Sequence, residues 1–166
     1  MKKGIALLLC ALIFTGLCFA SDPVEGFWIS YDDKTGKATA GWEIYSKDGI
    51  LFGEIRSLAG FPLDAKADKV KDSYKGFPRA GKVNEMTTCN TPWIWGLKQD
   101  KAGVWSGGNI VDPGDGNMYK CKITYRAKDG KKYTVDTLEM RGEIGLGIGR
   151  SQYWQKATKE QAYGLR

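Results

Sequence analysis

Asp48-Gly49 joins two runs, residues 39–46 and 50–57, in which apolar and polar side chains alternate. A connection this short needs positive φ, which Asp-Gly tolerates, so the two runs are expected to pair as an antiparallel hairpin. The same grammar recurs along the chain. Residues 27–31 end at Asp32-Asp33-Lys34-Thr35-Gly36, and residues 104–111 end at Asp112-Pro113-Gly114-Asp115-Gly116, with 118–126 following. Lys128-Asp129-Gly130-Lys131 leads into 133–141, and 150–155 is the last run. Local turns between short runs predict an antiparallel meander, not parallel strands with crossover helices. About eight such strands leave two open edges unless the sheet closes, so the fold class expected is an all-β barrel.

Glycines within or beside the runs support strong bending: Gly53, Gly107, Gly108 and the alternating Gly145, Gly147 and Gly149. The alternating set would leave one strand face bare, either for wall curvature or for a bulky group lying across it. Residues 59–88 interrupt the meander with Gly60-Phe61-Pro62, a lysine-rich stretch and Gly76-Phe77-Pro78. Residues 65–71 have room for one or two helical turns, and a segment this long reads as a flap or a cover over a barrel end. Thr158 with Gln161 three residues later predicts a short capped helix at the C-terminus.

The first twenty residues read as a cleaved leader. Lys2 and Lys3 precede an apolar stretch, and Cys18-Phe19-Ala20 supplies a cleavage site before Ser21. The stretch lies at the short end for crossing a bilayer, about 17 residues being the lower limit. An uncut anchor and a lipid-anchored form through Cys18 are the alternatives; Leu17 fits acylation of that cysteine poorly. Cleavage leaves one β-barrel domain, residues 21–166, placed in the periplasm or secreted, with no transmembrane segment. Of 25 basic and 19 acidic residues, two lysines leave with the leader, so the net charge becomes +4. That mild bias suits a solvated surface, and nucleic acid is not an expected partner. Cys89 and Cys121 remain, an even count in an oxidising compartment, where a disulfide is the default expectation.

There is no histidine in the chain. Ser–His and Cys–His catalysis and histidine-containing zinc sites therefore fall away, and neither a cofactor nor a metal is expected. Paired carboxylates remain: Asp32 with Asp33, and Asp112 with Asp115. Each pair sits in a glycine-containing turn, where Asp bonds its own backbone; a calcium loop is the alternative. Glu43 and Glu54 fall mid-strand and are expected on the outside of the barrel. On these grounds the chain is read as a non-enzyme, with a carboxylate hydrolase as the competing idea.

Gly26-Phe27-Trp28, followed by a meander and by Gly149-Arg150 at the final strand, resembles the calycin superfamily, the lipocalins and their relatives. That resemblance implies structural roles for Gly26, Trp28 and Arg150, with the Arg150 guanidinium stacked on the Trp28 indole. A second resemblance spans nearly the whole mature chain. Trp105-Ser106-Gly107-Gly108-Asn109-Ile110-Val111-Asp112-Pro113, then Gly116, Tyr119 and Cys121-Lys122-Ile123, is similar to the exported bacterial family catalogued as domain of unknown function 2147. Asp33-Lys34-Thr35-Gly36-Lys37, Arg141-Gly142, Gly149-Arg150 and Trp154 also look like that family, whereas Pro92-Trp93-Ile94-Trp95-Gly96-Leu97 replaces its Leu-x-Gly region. The resemblance implies a lipocalin-like barrel; it supplies neither ligand nor catalytic residue.

A barrel of eight strands has an interior just large enough for packed side chains or one small ligand. Trp42, Trp93, Trp95 and Tyr119 are the expected lining of a site for a small apolar or amphipathic molecule, such as a lipid, with 59–88 as its gate. The alternative is a filled barrel acting as an envelope interaction module, with Trp93 and Trp95 as exposed anchors for a protein partner.

Overall fold

The computed structural model describes residues 21–145 and 147–165; the leader expected over 1–20 lies outside the described residues. The chain forms a closed barrel of eight antiparallel strands in sequential order. They are β1 (Gly26–Tyr31), β2 (Ala38–Lys47), β3 (Ile50–Leu58), β4 (Pro92–Lys101), β5 (Val104–Val111), β6 (Met118–Arg126), β7 (Thr137–Gly145) and β8 (Ile148–Ala157). The helix α1 (Lys159–Tyr163) follows, and Thr158 and Gln161 form the reciprocal capping box expected of them. Among the described residues no helix is long and apolar enough to cross a membrane.

Turn chemistry sets most of the boundaries. Asp48 and Gly49 both adopt positive φ, 53° and 74°, as a two-residue hairpin requires. β7 begins later than its alternation suggests. Asp129 accepts N–H bonds from Lys131 and Tyr133, and Asp136 accepts one from Lys128, so residues 127–136 form a wide loop in place of a tight turn. Residues 65–71 are not helical; Lys66 bridges to Thr87, and the short helical turn lies at Val83–Glu85. Gly145 ends β7 and Gly147 lies in the turn to β8, with φ of 121° and 75°, while Gly149 is in β8, so the alternating glycines flank a turn and do not form one bare strand face.

Pairing registers define the inward faces. Trp28 opposes Trp42, Gly53 opposes Ile94, and Ile110 opposes Tyr119. At Gly53 a Cβ would lie 2.8 Å from the Cδ1 atoms of both Ile44 and Ile94, so this position is glycine because the core is full there. Along β8, Arg150, Gln152, Trp154 and Lys156 form one row facing inward, opposite Gly142, Met140 and Leu138 of β7 and Trp28 of β1. On the outer wall α1 lies against Gly41, where a Cβ would come within 1.9 Å of the Ala162 carbonyl oxygen, and Ser57 donates to that oxygen at 2.7 Å.

One end of the barrel is closed. Val24 and Trp28 are fully buried, and the Trp28 indole donates to the Val24 carbonyl at 2.9 Å. Asp22 accepts from Gly103 N–H, from the Trp105 indole and from the Gln99 amide, which ties the N-terminal segment across the barrel floor. The cation over Trp28 is Lys156, not Arg150: its ammonium sits 4.3 Å from the ring centroid and donates to the Glu25 carbonyl at 2.8 Å. Arg150 shares the inward row but lies six residues nearer the opposite end, about 20 Å away at about 3.3 Å per residue. It pairs instead with Asp33.

The expected disulfide is also absent. Cys89 and Cys121 are buried free thiols. Cys121 lies in the core of β6 with its sulfur 3.3 Å from that of Met140, while Cys89 sits in the connection entering β4, and β5 runs between β4 and β6. Burial raises the pKa of both thiols, so neither has thiolate character at neutral pH.

Two predictions follow the two corrections. Lys156→Met should lower stability by about 1–2 kcal/mol in urea unfolding, through loss of the cation–π contact and its hydrogen bond, while Arg150→Ala should stay within about 0.5 kcal/mol. Equal losses would defeat the assignment of the floor cation. In the chain from Ser21 onward, both thiols should alkylate without reductant once unfolded and resist alkylation when native. A reductant-dependent drop in stability of about 3–4 kcal/mol would instead reveal a bridge.

Candidate functional site

Four connections surround the other end: 32–37, 59–91, 112–117 and the β7–β8 turn. There the barrel is hollow. A cavity of about 470 Å³ runs from Ser30 and Tyr31 of β1, over Trp42, Ile55 and Leu58, to Gln152 and Trp154 of β8. A second cavity of about 400 Å³ lies over Tyr119, Met140, Gly142, Ile144 and Ile148. Both are lined by Ile110, Asp112, Arg150 and Gln152, so they are two lobes of one cup that meet at these residues.

The floor of the larger lobe is aromatic. Trp42 and Trp154 stack with ring centroids 4.5 Å apart and planes 24° from parallel. Each indole N–H has a partner: Trp42 donates to Ser30 Oγ at 3.2 Å and Trp154 to Gln152 Oε1 at 3.2 Å. With their polar tips satisfied, the rings offer apolar surface to a ligand without leaving a donor stranded.

The rim is charged. Asp32 accepts from the backbone and hydroxyl of Thr35 and from Lys34 N–H, and these bonds, the Thr35 backbone foremost, lower its pKa. Asp112 caps the equivalent turn before β6 by accepting from Gly114 N–H at 2.8 Å. Arg150 donates Nε–H to Asp33 Oδ2 at 3.0 Å and a second N–H to the same oxygen. That bond is the main reason its pKa is raised, with the charges of Asp33, Asp32 and Asp112 adding to it. At Tyr119 burial, then the charges of Asp115 and Asp112, push the phenol up.

Trp42 lines the larger lobe and Tyr119 the smaller one. Trp93 and Trp95 point the other way. They occupy the outer face of β4, because Ile94 between them faces Ile44 and Gly53 inside. Phe77 of the 59–91 connection covers them, with ring centroids 6.3 Å from Trp93 and 5.1 Å from Trp95. They are 0% and 3% exposed, so they are not the surface anchors that a protein-docking reading expects. The Trp93 indole donates to the Thr88 carbonyl, whereas the Trp95 indole nitrogen has no partner among the described residues.

The connection itself is packed in place. Ala67, Val70 and Val83 are buried, and the Tyr74 hydroxyl donates to the Gly116 carbonyl at 2.7 Å. Phe61, Ala65, Lys66, Asp68 and Lys69 form its side of the larger lobe. Reading by residue type missed Trp154, Gln152, Met140 and Ile110. A period-two reading of β8 from Arg150 would have found the first two, since it places Gln152 and Trp154 on the row that faces inward.

Three acids line the larger lobe, Asp32, Asp68 and Asp112. Asp32 and Asp112 cap turns. Glu43 and Glu54 lie on the outer wall, where Arg56 bonds both at 2.8 and 2.7 Å, and Tyr45 donates to Glu54 at 2.8 Å. Among the described residues no three acids or cysteines cluster as metal ligands.

A closed eight-stranded meander with a plugged floor and a hollow mouth defines the lipocalin-like class, an architecture suited to holding a ligand. The chain belongs to the family described as an uncharacterized protein conserved in bacteria, domain of unknown function 2147, which it matches over residues 26–156. A solved structure described as protein HP1028 from the human pathogen Helicobacter pylori, of the lipocalin family, is similar to it. The TM-score is 0.65 at 14% identity, covering 87% of this chain and 90% of that one, which shows a shared fold. Among curated protein sequences no relative matches.

The outer-wall cluster yields a pH prediction. Burial first, then the bond to Glu54, raises the Tyr45 pKa from 10 to about 12. A raised pKa means that the folded state holds the proton more tightly. The stabilisation is therefore complete below pH 10 and is lost between pH 10 and 12. Tyr45→Phe should flatten the fall in thermal midpoint across that window relative to the unsubstituted protein. Parallel curves would show that Tyr45 ionises as an ordinary surface phenol.

Proposed function

We propose that this is an exported, non-enzymatic barrel that holds a small apolar or amphipathic molecule, in the manner of a lipid carrier, in its two-lobed mouth. The observation that carries the reading is the cup itself: lobes of about 470 and 400 Å³ over a stacked indole pair. Either lobe falls within the roughly 300–1,000 Å³ range of small-molecule sites. Trp42 and Trp154 supply the floor and Tyr119 one wall, while the turns at Asp32 and Asp112 and the charge of Arg150 meet a polar head at the rim. The absence of histidine and the engagement of Asp32 and Asp112 in capping support a binding role over catalysis. Export rests on the leader pattern of residues 1–20.

A neutral fluorescent probe such as N-phenyl-1-naphthylamine tests the cup directly. It should bind one-to-one and be displaced by lipid extract from the native envelope. Ala40→Phe, which projects a ring into the larger lobe, should weaken binding by roughly tenfold, while Trp93→Phe should leave it unchanged. Saturable binding that ignores Ala40→Phe, or no binding at all, would end this reading.

A further inference from the structure

The wall of the barrel is not zipped evenly. β1 and β8 pair only through Phe27 with Ala157, Trp28 with Lys156 and Ile29 with Gln155, all next to the closed end. Above Ile29 and Gln155 no further pair forms between these strands among the described residues. The larger lobe lies in this gap, with Ser30 and Tyr31 on one side and Gln152 and Trp154 on the other. The gap is spanned near the rim by the guanidinium of Arg150, on β8, bonded twice to one oxygen of Asp33, in the connection leaving β1. Arg150 also lines both lobes.

We propose that the Asp33–Arg150 pair is a latch across the unzipped half of the seam, and that Arg150 sets the length of ligand the cup accepts. The proposal rests on the reading of the cup as a ligand site. With the pair closed, the guanidinium stands where the two lobes meet, and each lobe takes a ligand of its own size. With the pair broken, the arginine can leave the junction, and one elongated ligand can lie across both lobes. The latch is built to open. Both side chains are exposed, 67% for Arg150 and 40% for Asp33, and ion pairs in that setting hold weakly and loosen with salt. Opposite Arg150 on β7 stands Gly142, which has no side chain to block the swing.

Two neutral probes of different length test this: compact N-phenyl-1-naphthylamine, and rod-shaped diphenylhexatriene, titrated into the unsubstituted protein, Arg150→Ala, Asp33→Ala and Arg150→Lys. Diphenylhexatriene should bind about three- to fivefold tighter to Arg150→Ala and to Asp33→Ala, a gain larger than the naphthylamine shows in the same variants, as a weak exposed pair allows. Arg150→Lys, which keeps the charge pair, should fall back toward the unsubstituted value, and 0.5 M salt should move the unsubstituted protein toward Arg150→Ala. Equal shifts for both probes, or a gain in Arg150→Ala that Asp33→Ala lacks, would overturn the latch while leaving the cup intact. Failure of diphenylhexatriene alone to bind any variant would overturn the latch, and failure of both probes would overturn the latch and the cup together. Unchanged thermal midpoints for the variants would confirm that folding is not what was measured.

Discussion

The seat of Trp28 is the contact from which the architecture follows. Its indole N–H is used by the Val24 carbonyl and its face by the Lys156 ammonium. Lys156 in turn bonds the Glu25 carbonyl, so the last strand is fastened to the segment that opens the first. A meander has a natural weak point where its first and last strands meet, because no turn joins them. Here that junction has three backbone pairs, and the buried indole with its cation lies at their centre. Lys156 is held in a partly desolvated place, and burial lowers its pKa. The cation–π contact and the carbonyl bond compensate for that lost hydration.

Strengthening one end permits emptiness at the other. The floor is filled by Val24, Trp28 and the Asp22 bonds. Toward the mouth, the same inward positions are held by Gly142, by short side chains such as Ala40, and by polar residues at Gln152 and Arg150. These residues do not fill space across the barrel, so the interior opens where β1 and β8 part. The flap contributes by a different route. It covers the outer face of β4, which lets Trp93 and Trp95 be large and apolar without being exposed, and only its edge from Phe61 to Lys69 reaches the cup.

The order of strands was legible because each turn announces itself locally: Asp48-Gly49, the Asp-capped turns at Asp32 and Asp112, and the Thr158 cap all act within a few residues. What sequence could not resolve was position across the barrel. Arg150 and Lys156 share one face at period two, so the face was readable, but which cation reaches Trp28 depends on the register of β8 against β1. That register is a long-range property. Trp93 and Trp95 alternate as a strand should; which side is inside was set by Phe77, 16 and 18 residues earlier in the flap, over an outer face that most antiparallel sheets leave to water. The cysteines were misjudged by parity. An even number in an oxidising compartment argues for a bridge only if two chains of side-chain geometry meet, and Cys121 spends its contacts on Met140.

The β8 row then has one meaning at each end. Lys156 meets the face of a buried indole and a backbone carbonyl, two contacts that fix its ammonium in one geometry. Arg150 meets a carboxylate in open solvent, where the same formal charge is weakly held and its partner exchangeable. Between them Gln152 and Trp154 pass from polar to apolar, with Gln152 accepting the Trp154 N–H. A strand with two identical cation sites would be either sealed at both ends or loose at both. Placing the cation that rests on a buried indole at the floor and the one that meets only a solvated carboxylate at the rim gives a barrel whose closure does not depend on the contacts at its mouth.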